Sequence, residues 1–234
     1  MDVPIANNDP EAPVRGTADA LSDQRYLPGM SKHWLLPLYD PLVRMLGIES
    51  HHRRLVDLAA FETGERVLDV GCGTGNLTLL IKRLHPKANV VGVDPDGKAL
   101  SRARRKASRR RLTVRLDDGF AQRLPYSDAS FDRVVSAFMF HHLDAEVKAG
   151  ALLEAQRVLT PDGRLHLVDF GGAIERSDGF MAGVQHHNKH LAGNLGEQIP
   201  QLMREAGFQT AGEIEHRLTR LGRITFYAAT VSAY

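Results

Sequence analysis

The sequence predicts an α/β fold, in which a mostly parallel sheet carries helices on both faces. A short apolar run at residues 67–70 leads directly into a glycine-rich turn, and an apolar helix follows the turn from Asn76. A second apolar, β-branched run at residues 89–94 also ends in an acidic residue. Strand-like and helix-like segments continue to alternate after Gly64, which is typical of successive βαβ units. Such a sheet binds its ligands in the crevice at the carboxyl ends of its strands.

The glycine-rich turn is the most informative part of this crevice. Gly71, Gly73 and Gly75 recur at every second position, with Thr74 among them, where the backbone must bend tightly and approach a ligand. Dinucleotide-binding turns have the spacing G-x-G-x-x-G, and phosphate-binding loops have a lysine and a serine or threonine after the last glycine. The chain has neither pattern, and the carboxylate of Asp69 at the strand end would repel a phosphate. The turn therefore favours a ligand that carries a cationic group and no phosphate.

The acid that ends the second strand supports a nucleoside ligand. Asp94 lies about 20 residues beyond the turn, the offset at which an acid meets ribose hydroxyls in nucleotide-binding βαβ units. A carboxylate accepts the protons of both hydroxyls. The alternative is that Asp94, Pro95 and Asp96 form only a turn and a helix cap. The joint spacing with Asp69 and the glycines favours the ribose interpretation.

The pattern Asp69-x-Gly71-x-Gly73-x-Gly75 resembles motif I of the class I S-adenosylmethionine-dependent methyltransferases. Later segments resemble, in the same order, the quinone and small-molecule branch of that family, and the resemblance covers about residues 55 to 170. They are Gly119-Phe-Ala-Gln-Arg-Leu-Pro-Tyr126, Ser130-Phe-Asp-Arg-Val and Arg157-Val-Leu-Thr-Pro-Asp-Gly. The resemblance implies a Rossmann-like, seven-stranded, mostly parallel sheet with an antiparallel last strand. It also implies methyl transfer from S-adenosylmethionine to a small-molecule or lipid-like acceptor.

The resemblance also implies how the cofactor is held. Asp69 and the glycine turn with Thr74 would hold the methionine end, Asp94 and Pro95 would hold the ribose, and Ser136 would line the methyl side. The family usually has an acid after Gly119 that accepts the adenine amino group, whereas this chain has Phe120. The adenine would therefore be held by stacking, by the backbone amide of Ala121, or by Asp117 or Asp118.

The remaining elements follow from local patterns. We predict a third strand at residues 112–116, a fourth at residues 130–137 that continues to Phe140, and a fifth at residues 165–170. A helix at residues 199–206 ends at Gly207, and two alternating strands follow it, at residues 213–218 and 223–231. The domain prediction is a flexible tail at residues 1–24, an N-terminal helical cap at 25–63, and a core at 64–234 with a substrate lid at about 171–198.

Two segments are candidates for the acceptor pocket, and two histidines for catalysis. The pocket candidates come from the cap and from the lid, and they are Tyr26, Met30, His33, Trp34, Phe180 and His186. His141 and His142 follow the fourth strand, where a histidine can remove a proton from a hydroxyl or amine acceptor. The alternative is that one histidine caps a helix or packs beneath the cofactor while the other is exposed.

Other features limit the partners. His186, His187 and His190 have helical spacing, but no nearby cysteine or acid completes a zinc site, so we predict no metal. The basic run from Arg102 to Arg111 is either a solvated helix face or a contact for a membrane surface or a nucleic acid. The formal net charge is only +2 and no aromatic residues interleave with this run, which disfavours binding of single-stranded nucleic acid. A nucleic-acid methyltransferase and a non-catalytic cofactor-binding protein remain the alternatives.

The general composition predicts a cytoplasmic monomer or homodimer. The first ten residues are acidic and polar and lack the basic and apolar regions of a secretory signal. The sequence has no apolar run of about 18 residues, which is the length that a membrane-spanning helix needs. Cys72 is the only cysteine, so the chain forms no internal disulfide, and its place within the glycine turn favours a small buried residue over a nucleophile.

Overall fold

The computed structural model describes residues 47–172, 194, 196–219 and 222–232. The predicted tail, most of the predicted cap and most of the predicted lid lie outside this part of the chain. The same is true of all six pocket candidates, Tyr26, Met30, His33, Trp34, Phe180 and His186, and of the three histidines at 186, 187 and 190.

The described residues form one seven-stranded sheet in the order β3-β2-β1-β4-β5-β7-β6. Strands β1 to β5 pair in parallel, while β7 pairs antiparallel with both β5 and β6. The predicted fold class, including the antiparallel last strand, is therefore confirmed. The strands are β1 (Arg66–Val70), β2 (Asn89–Asp94), β3 (Arg115–Asp118), β4 (Phe131–Ala137), β5 (Leu159–Phe170), β6 (Thr210–Thr219) and β7 (Gly222–Thr230).

Helices cover both faces of the sheet because successive strand residues point to opposite sides. In β1, Val67 packs with α1 and α2, whereas Leu68 packs with α4 and α5 on the other face. Each face thus has its own apolar core. The carboxyl ends of the strands lie between the two helix layers, and the site is built there. The helices are α1 (Ile48–Ala59), α2 (Asn76–Leu84), α3 (Gly97–Arg110), α4 (Ala145–Val158) and α5 (Gln198–Glu205).

Three predicted strand boundaries are wrong. The third strand begins at Arg115, not at residue 112, because Arg111 ends α3 with a φ of 54° and the Leu112 N–H still bonds to the Ala107 carbonyl. The fifth strand begins at Leu159 rather than at residue 165, since Leu159 already pairs with Phe131 of β4. The fourth strand ends at Ala137 and does not reach Phe140, for a reason that belongs to the site.

Candidate functional site

The turn after β1 needs glycine at all three predicted positions. Gly71, Gly73 and Gly75 have φ values of 74°, 52° and 77°, in the left-handed region that side chains disfavour. A Cβ on Gly71 would lie 2.4 Å from the Cγ of Met139, and one on Gly75 would lie 2.9 Å from the Cβ of Ala103. A Cβ on Gly73 would meet nothing within 4 Å. Gly71 and Gly75 therefore pack against the protein, while Gly73 borders open space that a ligand can enter.

Cys72 lies on the inner side of this turn. Its side chain is 8% exposed, and a Cβ built on Gly92 of β2 would lie 2.9 Å from its Sγ atom. The thiol therefore fills the space that Gly92 leaves in the neighbouring strand. Burial raises the pKa of the Cys72 thiol well above its ordinary value, and the carboxylates of Asp69 and Asp94 add to this effect. The environment does not favour a nucleophilic thiolate.

Asp94 fastens the glycine turn from the end of β2. One carboxylate oxygen accepts the N–H of Gly73 at 2.8 Å, and the other accepts the N–H of Asp96 at 2.8 Å. Burial raises the pKa of Asp94, and these two hydrogen bonds oppose that effect. The helix cap is a separate function of Asp96, whose side chain accepts the N–H groups of Lys98 and Ala99. Asp94 thus lies beside the open space at Gly73, and its contact with a ribose stays a prediction.

Asp69 lies beneath the turn rather than on its open side. The side chain is 1% exposed, and the hydroxyl of Thr78 donates to its Oδ2 atom at 2.5 Å. Burial is the main cause that raises the pKa of Asp69 to about 7. Thr78 was not among the predicted site residues. It is the only polar residue in the stretch Leu77-Thr-Leu-Leu-Ile at the start of α2, which is the signal that could have identified it.

A lysine from the basic run supports the turn from behind. The ammonium of Lys106 on α3 donates to the Thr74 hydroxyl at 2.9 Å and to the Asn76 side chain at 2.7 Å. Thr74 is 4% exposed, so its hydroxyl contacts Lys106 inside the protein. The run from Arg102 to Arg111 is therefore not only a solvated face, because Lys106 belongs to the support of the site.

The predicted adenine segment lies next to Asp94. The Gly119 N–H bonds to the Asp94 carbonyl at 3.4 Å, and Phe120 forms an isolated antiparallel bridge with Arg123. Ala121 packs against the apolar core on the α4 side of the sheet. Of the two alternative acids, Asp117 accepts the Tyr126 hydroxyl at 3.0 Å, and an ion pair joins it to Arg115 at 2.8 Å. Asp118 is exposed at the end of β3.

The end of β4 adjoins the turn on its other side. The Ser136 hydroxyl is buried and donates to the Val70 carbonyl at 2.8 Å, which ties β4 to the end of β1. After Ala137 the chain leaves the strand at Phe138, whose φ of 56° is unusual for a bulky residue. This backbone conformation is why the fourth strand does not continue to Phe140.

Phe138 is the centre of an aromatic cluster that the sequence analysis did not identify. Its ring lies 6.1 Å from that of His51, 5.9 Å from that of His52 and 5.3 Å from that of Phe170, between ring centroids. Burial lowers the pKa of His52 to about 4 and lowers the pKa of His51 as well, so both rings are neutral at pH 7. These four rings form an uncharged aromatic surface at the ends of β4 and β5, which we call the aromatic wall.

His141 is held by a buried carboxylate. It lies in a 3₁₀ turn formed by Phe140–His142, and its Nδ1 atom is 2.6 Å from Oδ1 of Asp169 at the end of β5. The backbone N–H of His141 also donates to Asp169 Oδ2 at 3.2 Å. A carboxylate only accepts hydrogen bonds, so Nδ1 carries the proton and Nε2 is the basic nitrogen. The His142 ring lies 3.9 Å from the His141 ring.

The sequence analysis placed the two histidines together but missed Asp169. Its side chain is fully buried, and it is separated from His141 by 28 positions in the chain. The available signal was an acid near the carboxyl end of an otherwise apolar strand, which is the same signal that identified Asp69 and Asp94.

Among the residues that the structure describes, no group of three or more histidine, cysteine, aspartate or glutamate side chains is arranged to hold a metal ion. In that same part of the chain, no helix is both long enough and apolar enough to cross a bilayer.

Comparisons with known proteins agree with this geometry. Residues 67–163 match a family model described as a methyltransferase domain. The chain is 36% identical over 201 residues to the demethylmenaquinone methyltransferase of Deinococcus radiodurans, covering 75% of this chain and 82% of that protein. It is 42% identical over 139 residues to the demethylmenaquinone methyltransferase of Thermus thermophilus, where the match spans 58% of this chain and 62% of that protein.

Solved structures show the same fold at low sequence identity. A methyltransferase from Thermotoga maritima superimposes with a TM-score of 0.63 at 21% identity, covering 85% of this chain and 97% of that one. Geranyl diphosphate methyltransferase in complex with GPP and sinefungin gives a TM-score of 0.61 at 16% identity, and the match covers 78% of each chain.

The site residues fit the expected cofactor. The turn leaves open space at Gly73, and the carboxylate of Asp94 borders it, as a nucleoside with a cationic amino-acid end requires. The chain therefore belongs to the class I S-adenosylmethionine-dependent methyltransferases, in the quinone-biosynthesis branch that includes the demethylmenaquinone methyltransferases, and it uses S-adenosylmethionine to methylate a small-molecule acceptor.

Proposed function

We propose that this enzyme methylates a ring carbon of a reduced quinone and that His141 is the general base. The relatives named above act on demethylmenaquinone, and a further relative, from Bdellovibrio bacteriovorus, is named as a C-methyltransferase of ubiquinone and menaquinone biosynthesis. The observation that carries the proposal is the 2.6 Å contact between His141 Nδ1 and Asp169 Oδ1 beside an aromatic wall.

The chemistry of the acceptor explains why a base is needed. A quinone ring is electron-poor, whereas its reduced form carries hydroxyls that feed electrons into the ring. Removal of a hydroxyl proton makes a ring carbon nucleophilic enough to attack a methyl group. S-adenosylmethionine supplies a methyl group already activated by its sulfonium. The C–CH3 bond forms as the S–CH3 bond breaks, and the electron pair of the S–CH3 bond stays on the sulfur. The ring carbon then loses its hydrogen as a proton and the hydroxyl oxygen regains the proton it gave up, so the net release is one proton.

The chain's own residues have separate tasks in this reaction. His141 Nε2 accepts the hydroxyl proton, and Asp169 stabilises the imidazolium that forms, because it already holds Nδ1. Phe138 and Phe170 offer flat apolar faces on which an aromatic acceptor packs. The neutral rings of His51 and His52 complete this wall without placing a fixed charge beside the acceptor. The turn and Asp94 hold the cofactor.

Several finer features remain part of the proposal. The sequence prediction that the acceptor pocket includes Tyr26, Met30, His33, Trp34, Phe180 and His186 stays part of the proposal. A lipid-like acceptor calls for peripheral membrane contact, and the exposed arginines among Arg102 to Arg111 are the proposed contact. Sedimentation with anionic vesicles at low and high salt tests this contact. A cytoplasmic location and a monomeric or homodimeric state are proposed with it.

The test uses chemically reduced demethylmenaquinone in detergent micelles with S-adenosylmethionine that carries a deuterated methyl group. Mass spectrometry of fragments is expected to find the label on a ring carbon, and the oxidised quinone is expected to be inert. His141→Gln should lower kcat by about a hundredfold or more, the contribution of a general base. His142→Gln is the matched control and should retain most of the activity. Label on oxygen, or full activity of His141→Gln, would contradict the proposal.

A further inference from the structure

A buried lysine lies behind the His141–Asp169 pair. Lys148 on α4 is 2% exposed, and its ammonium donates to Oδ1 of Asn194 at 2.6 Å. Among the residues that the structure describes, no carboxylate lies within ion-pair distance of this ammonium. Burying an ammonium that no described carboxylate contacts is costly, which suggests that Lys148 has a function at this position.

The electrostatics indicate which group the charge acts on. Burial lowers the pKa of Lys148, while the carboxylates of Asp169 and Asp144 oppose that effect. Asp144 precedes α4 on the same segment, but Asp169 comes from β5 and is fully buried. Lys148 is therefore a cation close enough to influence the Asp169 carboxylate without contacting it.

Asn194 joins the lysine to the strand that carries Asp169. Its side-chain amide donates to the Phe170 carbonyl at 3.0 Å, and its backbone carbonyl accepts the Gly172 N–H at 2.8 Å. A Cβ on Gly171 would lie 2.2 Å from that carbonyl oxygen, so the contact requires glycine there. Phe170 directly follows Asp169, so the bond from Lys148 to Asn194 also restrains the backbone at the end of β5.

We propose that Lys148 is a positioning residue for methyl transfer, whose buried ammonium places a positive charge near the Asp169 carboxylate and, through Asn194, fixes the end of β5 so that Asp169 holds His141 with Nε2 basic. The inference rests on the proposed role of His141 as general base. Lys148 itself contacts no reacting atom.

The other charged groups around the pair do not replace this cation. The His142 ring lies against the His141 ring at a tilt of 43°, and Asp144 adds a negative charge from the start of α4. On β7, Tyr227 interacts electrostatically with Asp169, and the guanidinium of Arg223 is paired with Glu213 of β6 at 2.8 Å. From α1, His51 and His52 face the aromatic cluster as neutral rings. Lys148 is thus the cation whose charge is not offset by a contacting carboxylate among the described residues.

Lys148→Met tests the charge at nearly constant side-chain length. Its affinity for S-adenosylhomocysteine should stay within about twofold, while kcat should fall by about tenfold or more, a part of what a general base contributes. The acid limb of the kcat–pH profile should move to higher pH, because the pair holds its proton more tightly without the nearby cation. Lys148→Arg should recover part of kcat and of the profile, and Lys87→Met, at an exposed lysine, should match wild type.

A second variant, Asn194→Asp, tests the same inference if Lys148→Met does not fold. Asn194→Asp keeps Lys148 and places a carboxylate on its ammonium, which cancels its charge toward Asp169. The acid limb should move in the same direction as in Lys148→Met. Unchanged profiles in the folded variants would overturn the inference.

A readout without acceptor separates this inference from the proposed function. With histidine labelled by ¹⁵N in the ring, the neutral form of His141 should carry its proton on Nδ1 and not on Nε2 in the wild-type complex with S-adenosylhomocysteine. In Lys148→Met or Asn194→Asp, the doubly protonated form should persist to higher pH. Unchanged His141 ring signals would overturn the role of Lys148 whatever the acceptor is. Full activity of His141→Gln would instead overturn the proposed base, even if the ring signals changed as expected.

Discussion

At the scale of single residues, the acids at the strand ends differ in function although they look alike in sequence. Asp94 lies beside open space and fastens Gly73, whereas Asp69 is buried and bonded to Thr78. Asp169 orients His141. The sequence identified the first two because each ends an apolar strand and also lies at a set distance from the glycine turn, which is a local pattern. It did not identify the third because the partner of Asp169 lies on another loop, and no spacing rule links strand β5 to that loop.

Asp94→Ala should weaken cofactor binding and also loosen the turn. If Asp94 holds both ribose hydroxyls, it loses charge-assisted bonds of roughly 1.5 to 3 kcal/mol each, so affinity for S-adenosylhomocysteine should fall by about ten- to a hundredfold or more. The N–H groups of Gly73 and Asp96 lose their acceptor as well, so unfolding free energy should drop by about 1 to 3 kcal/mol. Calorimetry and urea unfolding measure the two effects. A folded variant with wild-type affinity would show that the ribose lies elsewhere.

Asp69 should make stability depend on pH. Its pKa is raised from 3.8 to about 7 in the folded protein, so the folded state binds the proton more tightly than the unfolded chain. Its contribution is therefore fully favourable below about pH 4 and is lost as the pH rises toward 7. Asp69→Asn removes this dependence and keeps an acceptor for Thr78. Relative to wild type, the variant should gain stability between pH 5 and pH 8 in urea unfolding. A constant difference across that range would contradict the assignment.

At the scale of elements, the run of basic residues in α3 did not by itself reveal that one of them, Lys106, contacts the glycine turn. Ala103 and Ala107 are buried, which places Lys106 at the margin of the buried stripe, where a long side chain can reach inward. The periodicity of apolar residues predicted the helix, but the contacts of Lys106 depend on where the glycine turn lies in space. The same limit explains the misplaced third strand, because Leu112 looks strand-like in sequence but closes α3.

Lys106→Met should weaken cofactor binding, although Lys106 itself is not among the residues predicted to contact the cofactor. Thr74 and Asn76 lose their hydrogen-bond donor, so the turn becomes more mobile in the free protein. Cofactor binding then has a larger entropy cost, because it must order the turn. Affinity for S-adenosylhomocysteine should fall by about three- to tenfold, the effect of one net hydrogen bond. Arg109→Met, at an exposed position of the same helix, is the control and should bind as wild type does. Equal affinities in the two variants would remove Lys106 from the site.

At the scale of the whole molecule, the strand order decides where the chemistry takes place. The chain moves outward from β1 to β2 and β3 and then returns to place β4 on the other side of β1. Ligands of open α/β sheets bind at such a reversal of strand order. The glycine turn follows β1 and the His141 turn follows β4, so the two halves of the site flank this point. Strand and helix alternation predicted the parallel sheet and the crevice at the carboxyl ends of its strands, but it did not predict the strand order.

Both halves of the site lie at the carboxyl ends of central strands of the sheet, so cofactor binding should stabilise the whole fold. At a hundredfold excess over its Kd, S-adenosylhomocysteine should add about 2.7 kcal/mol to the unfolding free energy, with a matching rise in Tm. His141→Gln should show the same rise, since His141 is assigned to the acceptor side. A rise that is lost in this variant would place His141 in the cofactor site instead.

The rate at which a thiol reagent modifies Cys72 would measure the opening of the glycine turn. Cys72 is buried under the turn, and its Sγ fills the space left by Gly92, so a thiol reagent reaches it only when the turn lifts away from β2. The rate of thiol modification therefore reports how often the turn opens, with no label added to the protein. A bound cofactor resting on Gly73 should slow that rate in proportion to its occupancy, so alkylation kinetics would count the openings through which the cofactor enters and leaves.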